Sequence, residues 1–314
     1  MDNVNTLLSV LAFVVVTALT AGRLLLDFWT PPPIVTRDSE KRFRSRTQKT
    51  PVPLPTLSDE AEVDLTVIIP AYNETARLPL MLEQAVDHLA SVPDRSAEIL
   101  IVDDGSRDDT ANFALALTKR YDDVEIRVCV LEKNLGKGGA VRHGMLHSRG
   151  KRMLMVDADG ASRFEDLELL WAAMDKHEDK PAVAIGSRAH LVKTEAVVKR
   201  SMLRNLLMYG LHTILRIVGV GHIRDTQCGF KLFSRRAARA IFPAQHLATW
   251  IFDVELLLLA KQAAIPVDEV PIEWHEVPGS KLNVFMDSLQ MLRDLLVLRA
   301  NQLTGRWAAP KCVD

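Results

Sequence analysis

The stretch MLMVDAD, residues 153–159, decides the fold of this chain and points to its chemistry. Met153 to Val156 is an apolar run typical of a buried strand, and Asp157 and Asp159 follow where that strand ends. Side chains two residues apart in extended backbone project the same way, so the two carboxylates are expected to converge. A hard divalent cation, Mg²⁺ or Mn²⁺, would remove their repulsion, and a nucleotide diphosphate could supply its other oxygen ligands. A plain strand with an Asp-rich turn is the alternative, and the tripeptide alone does not decide between them.

Similar apolar runs lie on both sides of this stretch and alternate with helical patterns. Strands are predicted at residues 65–69, 99–102, 126–131, 153–156 and 182–185, and helices at 78–89 and 109–119. Because the strands are apolar almost throughout, they should be buried on both faces. The pattern therefore predicts an α/β fold with a mainly parallel sheet and flanking helices.

Polar residues follow several of these strands at the point where each ends. In open parallel sheets, ligands bind in the crevice beyond the carboxyl ends of the strands. Tyr72 could stack on a nucleobase, and Glu74, Asp103 and Asp104 could accept hydrogen bonds from a base or a ribose. The alternative for Asp103 and Asp104 is an ordinary turn that caps the next helix.

The segment NLGKGG, residues 134–139, resembles a phosphate loop but lacks the spacing of nucleoside-triphosphate loops. Its backbone amides at a helix start, together with Lys137, could still approach an anion. His143 and His147 are four residues apart, a spacing that can bind metal. Without an acidic partner between them, we expect both histidines on a solvated helix face.

The second half of the chain carries three further candidates. The segment DTQCGFK, residues 225–231, is either a functional loop or a turn that enters a strand. Asp253 precedes the run Leu256 to Leu259, so it could cap a buried helix or present a carboxylate to a cleft. Lys281 lies in a polar turn, where it is either exposed or binds phosphate.

The composition excludes several classes of protein. Lys+Arg 39 against Asp+Glu 40 gives a net charge of -1, which argues against a nucleic-acid partner. Cys129, Cys228 and Cys312 are widely spaced, which argues against a disulfide framework and favours a reducing compartment. The sequence does not exclude a homo-oligomer.

The amino-terminal region predicts a membrane anchor. Residues 7–22 carry no charge, and the basic residues that follow would stay in the cytosol by the positive-inside rule. A cleaved signal peptide is the alternative. We expect an anchor over residues 1–27, a Pro-rich basic linker over 28–62 and a folded domain from Val63.

Two later stretches, residues 203–220 and 282–298, combine leucines with interspersed arginines. Helices of this composition can lie along a bilayer surface or pack in a core. Given the predicted anchor, we favour contact with the lipid bilayer.

Taken together, the motifs VIIPAYNE, IVDDGSRDDT, KNLGKGGAVRHG, VDADG, GSR, DTQCGFKLF and FDVELLLLA resemble the family 2 glycosyltransferases of the GT-A fold. The resemblance covers roughly residues 63–298, with the motifs in the same order. It implies a GT-A, Rossmann-like catalytic domain over 63–281, with a nucleotide-sugar half at 63–188 and an acceptor half, including an interfacial helix, at 189–281. Residues 282–314 would form an amphipathic membrane-associated segment.

Within the family, the motifs are most similar to enzymes that transfer glucose from UDP-glucose to dolichyl phosphate. The resemblance implies inversion, giving dolichyl β-D-glucosyl phosphate and UDP, a glucose donor for the lipid-linked oligosaccharide of N-glycosylation. It also implies a single-pass protein of the endoplasmic reticulum membrane, with its catalytic domain in the cytosol. The alternatives are a mannosyltransferase that uses GDP-mannose, a polysaccharide synthase, and a non-catalytic membrane scaffold that binds nucleotide sugars.

The resemblance also implies roles for individual residues. Nucleotide-sugar binding is implied for Pro70, Tyr72, Glu74, Asp103, Asp104, Lys137, Asp157 and Gln227, and metal binding for Asp157 and Asp159. Acceptor-phosphate binding is implied for Arg188, Lys231, Ser280 and Lys281, and the catalytic set is Asp159, Arg188, Lys231 and Asp253. Ala161 stands where the related mannose synthases carry a glutamine metal ligand, so the third protein ligand is open. For Asp253 we expect a positional or electrostatic role.

Overall fold

The computed structural model of this chain describes residues 2–193, 221, 223–278 and 284–310. The described helices are α1 Asp2–Trp29, α2 Leu78–Ala90, α3 Thr110–Leu117, α4 Lys137–Leu146, α5 Leu167–Asp175, α6 Arg235–Ile241, α7 Phe252–Gln262 and α8 Val284–Leu303. The described strands are β1 Arg42–Ser45, β2 Val52–Pro53, β3 Val63–Ala71, β4 Ala97–Asp103, β5 Glu125–Val130, β6 Gly150–Val156, β7 Val183–Ser187, β8 Phe230–Ser234 and β9 Val267–Pro271. The stretch 203–220 and the predicted site residues Ser280 and Lys281 lie outside the described residues.

The described strands form one mixed sheet in the order β2-β1-β5-β4-β3-β6-β8-β7-β9. Strands β5, β4, β3 and β6 run parallel, as the sequence predicts. Strand β8 lies between β6 and β7 and is antiparallel to both, so the second half of the chain completes the same sheet. The α/β prediction is therefore confirmed.

The central strands are apolar throughout because each of their faces packs into a separate core. Along β3, Ile68 packs into one cluster, and Val67 and Ile69 pack into the cluster on the other face. All three side chains are fully buried, and each contributes roughly 1.5–3 kcal/mol relative to an exposed position. Burial on both faces fixes the register of the strand, because a shift by one residue would move the side chains of each face into the opposite core.

The carboxyl ends of β3, β4, β6 and β7 meet at one edge of the sheet. Strand β3 pairs with β4 on one side and with β6 on the other. The chain therefore crosses over in opposite directions from β3, which creates a crevice between the ends of β3 and β6. The turn at residues 157–159 lies at this position.

The region between α1 and β3 packs against the catalytic domain, which corrects the prediction of an unpacked linker. Strand β1 pairs with the edge of β5, with Phe43 opposite Cys129, and Leu54 and Leu57 are buried in the core. Prolines are tolerated here because β2 is a short edge strand. The prediction of a spacer up to residue 62 is therefore wrong for residues 42–57, whose apolar side chains cover the edge of β5.

The same region buries the two histidines of α4. His143 and His147 are 1% and 9% exposed, so the expected solvated face is wrong. The Nε2–H of His143 donates to the Glu40 carbonyl at 2.9 Å, and the Nδ1–H of His147 donates to the Pro55 carbonyl at 2.6 Å. Burial lowers the pKa of His143 to about 3.

Two arginines of α6 hold the last part of this region. An N–H of the Arg235 guanidinium donates to the Asp59 carbonyl at 2.7 Å. Arg239 donates to the carbonyls of Leu57, Ser58 and Asp59 at 2.8–3.0 Å. Residues 57–59 are therefore clamped onto the domain before β3 begins.

Helix α1 is long and apolar enough to cross a membrane, and it is the one such helix in the described part of the chain. Within residues 5–29, an 18-residue window has a mean hydropathy of 2.0, and none of that window is buried against the protein. At its end, Arg306 lies 2.7 Å from Asp27, and the Asn301 side-chain amide donates to the Thr30 hydroxyl at 2.9 Å. We call these two contacts the α1–α8 clasp, because Asn301 lies on α8 and Arg306 shortly after it.

Helix α8 has two different faces. Leu295 and Leu298 are fully buried, whereas Met286, Leu289, Leu296 and Leu303 are 48–72% exposed. An exposed apolar stripe on a helix that contacts α1 is typical of a surface that meets a membrane.

Candidate active site

The two predicted metal ligands lie together at the edge of the sheet. Strand β6 ends at Val156, so Asp157 and Asp159 occupy the turn that follows, with side chains 33% and 28% exposed. The Asp157 N–H donates to the Gly229 carbonyl, and an oxygen of Asp159 accepts from the Ala161 N–H at 3.0 Å. Burial raises the pKa of Asp159, and the charge of Asp157 raises it further. A cation would relieve this repulsion, so the donor set fits Mg²⁺ or Mn²⁺.

Because Gly229 has no side chain, the Asp157 carboxylate can lie directly beside it. A Cβ at this position would lie 2.0 Å from an oxygen of the Asp157 carboxylate. The start of β8 can therefore approach the turn only with glycine at this position. No group of three His, Cys, Asp or Glu side chains suited to a metal exists within the described residues, so the identity of a third protein ligand stays open.

Two cations balance this acid pair. The Lys137 Nζ lies 2.6 Å from a carboxylate oxygen of Asp157. The guanidinium of Arg77 lies 4.0 Å from Asp159, and its Nε donates to the Glu74 carboxylate at 2.8 Å. Arg77 therefore links a predicted nucleotide-binding acid to a predicted metal ligand.

A second ion pair lies beneath these groups. Lys231 is fully buried, and its ammonium donates to the Asp253 carboxylate and to the Thr226 carbonyl. Burial raises the pKa of Asp253, although Lys231 and Lys137 oppose the increase. Helix α7 has Ile251 as its N-cap, so the alternative of Asp253 as a capping residue is wrong. Lys231 has no exposed surface here, which differs from the direct phosphate contact that the resemblance implies.

The loops after β3 and β4 form the nucleotide side of the cleft. Pro70 pairs with Val102 at the end of β3, and the partly exposed Tyr72 follows it. The Ser106 hydroxyl accepts from the Asn73 N–H at 2.9 Å and donates to the Asp103 carboxylate. The two loops are thus tied together, and burial raises the pKa of Asp103.

Asp104 shapes the neighbouring glycine-rich loop. Its two carboxylate oxygens accept from the Leu135 and Gly136 N–H groups at 2.7 and 3.0 Å. Burial raises its pKa to about 7, despite these two hydrogen bonds. Gly136 has a φ of +91°, which favours glycine, and it is the residue before Lys137 at the start of α4. Asp104 therefore helps to set the position of Lys137.

The far side of the cleft carries Arg188, directly after β7. Its Nε donates to Asp225 at 2.7 Å in a bidentate pair, and its guanidinium lies 5.4 Å from the Trp274 ring centre. A carboxylate oxygen of Glu269 accepts from the Asp225 N–H at 3.0 Å, which fixes the loop that carries Asp225. Gln227 in the same loop donates to the Trp250 carbonyl at 3.4 Å.

The sequence model of the Glycosyl transferase family 2 matches residues 66–242. The chain belongs to this family. It is 51% identical to the dolichyl-phosphate beta-glucosyltransferase of Saccharomyces cerevisiae, over 79% of this chain and 77% of that protein. It is 43% identical to the Homo sapiens protein of the same name, over 88% of each.

Comparison with solved structures shows the same fold. The glucosyl-3-phosphoglycerate synthase of Mycobacterium tuberculosis, solved with Mn²⁺ and UDP-glucose, has a TM-score of 0.53 at 18% identity. The match covers 76% of this chain and 79% of that one. The predicted GT-A fold of a family 2 glycosyltransferase is therefore confirmed, and the protein is an enzyme.

Three residues near the site of this family 2 enzyme were not predicted from the sequence: Arg77, Asp225 and Glu269. Arg77 follows Glu74 by three residues at the start of α2, a spacing that brings side chains together in a helical turn. Asp225 stands in a motif that the sequence singled out, but its partner Arg188 is distant along the chain. Glu269 lies on β9, which carries no strong sequence signal.

Proposed function

We propose that this enzyme transfers glucose from UDP-glucose to dolichyl phosphate with inversion, releasing UDP and dolichyl β-D-glucosyl phosphate. The observation that carries the proposal is the carboxylate pair Asp157 and Asp159 at the switch point of the sheet, with Lys137 beside it. The relatives named dolichyl-phosphate beta-glucosyltransferase support the donor sugar and the acceptor. The product would serve as a glucose donor for the lipid-linked oligosaccharide of N-glycosylation.

On the donor side, the residues that would hold Mg²⁺ or Mn²⁺ are Asp157 and Asp159. When bound, the metal supplies positive charge to the donor diphosphate and to the departing UDP. The solved relative with Mn²⁺ and UDP-glucose supports this assignment. Tyr72 would stack on the uracil ring, and Glu74, held by Arg77, would accept hydrogen bonds from the nucleoside.

On the acceptor side, the nucleophile needs no protein base. A phosphate monoester has a second pKa near ~6, so its oxygen is already ionised at cytosolic pH. That oxygen attacks C1 of glucose from the side opposite UDP, and the bond from C1 to the diphosphate oxygen breaks. Arg188 and Lys281 would draw in the acceptor phosphate, and the bidentate pair with Asp225 holds Arg188 in place.

The Lys231–Asp253 pair supports a positional role for Asp253. A carboxylate that already accepts from a buried ammonium is a poor base, because protonation would leave Lys231 with an unbalanced charge. Asp253 lies at the start of α7 and Lys231 lies on β8, and together with Asp157 and Lys137 the pair contributes to the field of the cleft.

For the cellular position, we propose a single-pass protein of the endoplasmic reticulum membrane with the catalytic domain in the cytosol. Helix α1 would span the bilayer, and the exposed stripe of α8 would lie on its surface. The basic residues that follow α1 support this orientation.

The test uses the full chain in detergent with dolichyl phosphate and either UDP-glucose or GDP-mannose, and identifies the lipid product by mass. We expect a hexosyl lipid with UDP-glucose only. A product with GDP-mannose alone would favour the mannosyltransferase, and binding of UDP-glucose without turnover would favour a scaffold. Asp159→Asn should lose turnover with its fold intact, and Asp94→Asn, an exposed acid in a loop before β4, serves as the control. Full activity in EDTA would contradict the metal assignment.

A further inference from the structure

Lys137 is the cation closest to the acid pair, and it is held there by several charges. Its ammonium lies 2.6 Å from an oxygen of Asp157. Only 19% of the Lys137 side chain is exposed, so the ammonium is held against this carboxylate at the floor of the cleft. It therefore occupies a carboxylate that the metal would need.

The backbone at Lys137 is fixed, so only its side chain can move. The Gly138 N–H donates to the Ala248 carbonyl at 2.8 Å, and the Gln245 amide donates to the Gly138 carbonyl at 2.9 Å. A Cβ on Gly136 would lie 2.6 Å from the Ala248 carbonyl oxygen, so this turn packs closely against residues 245–248. The flexible lysine stem can turn from Asp157 toward an anion at the start of α4, where the helix favours negative charge.

From this geometry we propose that the Lys137 ammonium and the divalent cation compete for the Asp157 carboxylate. A nucleotide diphosphate ends this competition, because its phosphate oxygens bind the ammonium in place of Asp157. The metal then binds weakly alone and tightly together with the nucleotide. By thermodynamic linkage, the metal strengthens nucleotide binding by the same factor. Lys137 thus couples the two ligands and favours their arrival as a pair. This inference rests on the metal assignment of the proposed function.

The experiment measures Mn²⁺ binding to the detergent-solubilised full chain by electron paramagnetic resonance, with and without UDP. For the wild type we expect Mn²⁺ to bind at least tenfold more tightly when UDP is present. Lys137→Met should bind Mn²⁺ alone about tenfold more tightly than the wild type, and its gain from UDP should shrink. Lys137→Arg retains the charge and should behave as the wild type does.

The matched control is Lys151→Met, which removes the same charge. Lys151 lies near the opposite end of β6, is exposed and pairs with Asp64 at 2.9 Å. It should leave Mn²⁺ binding unchanged. If Lys137→Met binds Mn²⁺ alone no more tightly than Lys151→Met does, the competition is refuted while the metal assignment stands. If the wild type binds no Mn²⁺ even with UDP, the metal assignment and this inference fall together.

Discussion

The buried histidine of α4 makes the stability of this enzyme depend on pH. The Nε2–H of neutral His143 donates to the Glu40 carbonyl, and the Cys129 thiol donates to the same oxygen at 3.0 Å. The Nδ1 atom of His143 is buried and has no hydrogen-bond partner among the described residues. A proton on Nδ1 would therefore be an unsatisfied buried donor next to the ring of His147, whose centre is 4.7 Å away.

The size of the effect follows from the two pKa values. The pKa of His143 is about 3 in the folded enzyme and 6.5 as its ordinary value. As the pH falls below 6.5, the unfolded chain takes up a proton that the folded chain refuses until about pH 3, so acid favours unfolding. Between pH 7 and pH 5 this linkage removes about 2 kcal/mol from the free energy of unfolding.

The assay is urea unfolding of the full chain in detergent at pH 7 and pH 5. His143→Gln keeps an N–H that can reach Glu40 but cannot titrate, so its loss between the two pH values should be about 2 kcal/mol smaller. His190→Gln, at an exposed position, should keep the full loss. The reasoning is refuted if the wild type and His143→Gln lose equal amounts, whatever their absolute stabilities.

Three further substitutions test other parts of the structure. Gly229→Ala places a Cβ 2.0 Å from the Asp157 carboxylate and should displace that carboxylate. Calorimetry should then show Mn²⁺–UDP binding weakened at least tenfold, with little change in the thermal midpoint of unfolding. Unchanged binding would contradict the tight fit between Gly229 and Asp157. Arg239→Ala removes the hydrogen bonds to residues 57–59 and should cost about 1–3 kcal/mol in urea unfolding, with faster proteolysis there; an unaltered midpoint would count against the clamp. Leu289→Asp, on the exposed stripe of α8, should lower turnover several-fold in proteoliposomes but not in detergent, and equal loss in both would argue for a folding defect instead.

The central sheet could be predicted because its signals are local. The runs in β3, β4 and β6 are apolar on both faces, and the acids that follow them need no distant partner to be recognised. Parallel strands then bring their carboxyl ends to one edge, which is why Asp157 and Asp159 could be placed before the structure was known. The ion pair between Lys231 and Asp253 was not predicted, because its members come from separate elements.

The amino-terminal strands could not be predicted, because their partners are distant. Phe43 packs only because β5 offers an open edge, and nothing near Phe43 in the sequence indicates that edge. The burial of His143 and His147 depends on the same contact, since residues 40–55 cover them. The polar, Pro-rich composition of this segment therefore predicted a spacer, although the segment packs onto the domain through a few apolar side chains.

The α1–α8 clasp has a consequence for how the enzyme meets its acceptor. Because Asp27 and Thr30 are tied to Arg306 and Asn301, a bilayer around α1 would hold the catalytic domain at a set height and tilt. The cleft would then sweep over the lipid surface in a plane, and a lipid-borne phosphate would be found by lateral diffusion in two dimensions. If the clasp were loosened, the catalytic domain could swing about the end of α1, and the cleft would spend time away from the lipid surface. The cleft would then meet fewer lipid-borne phosphates at the same lipid density.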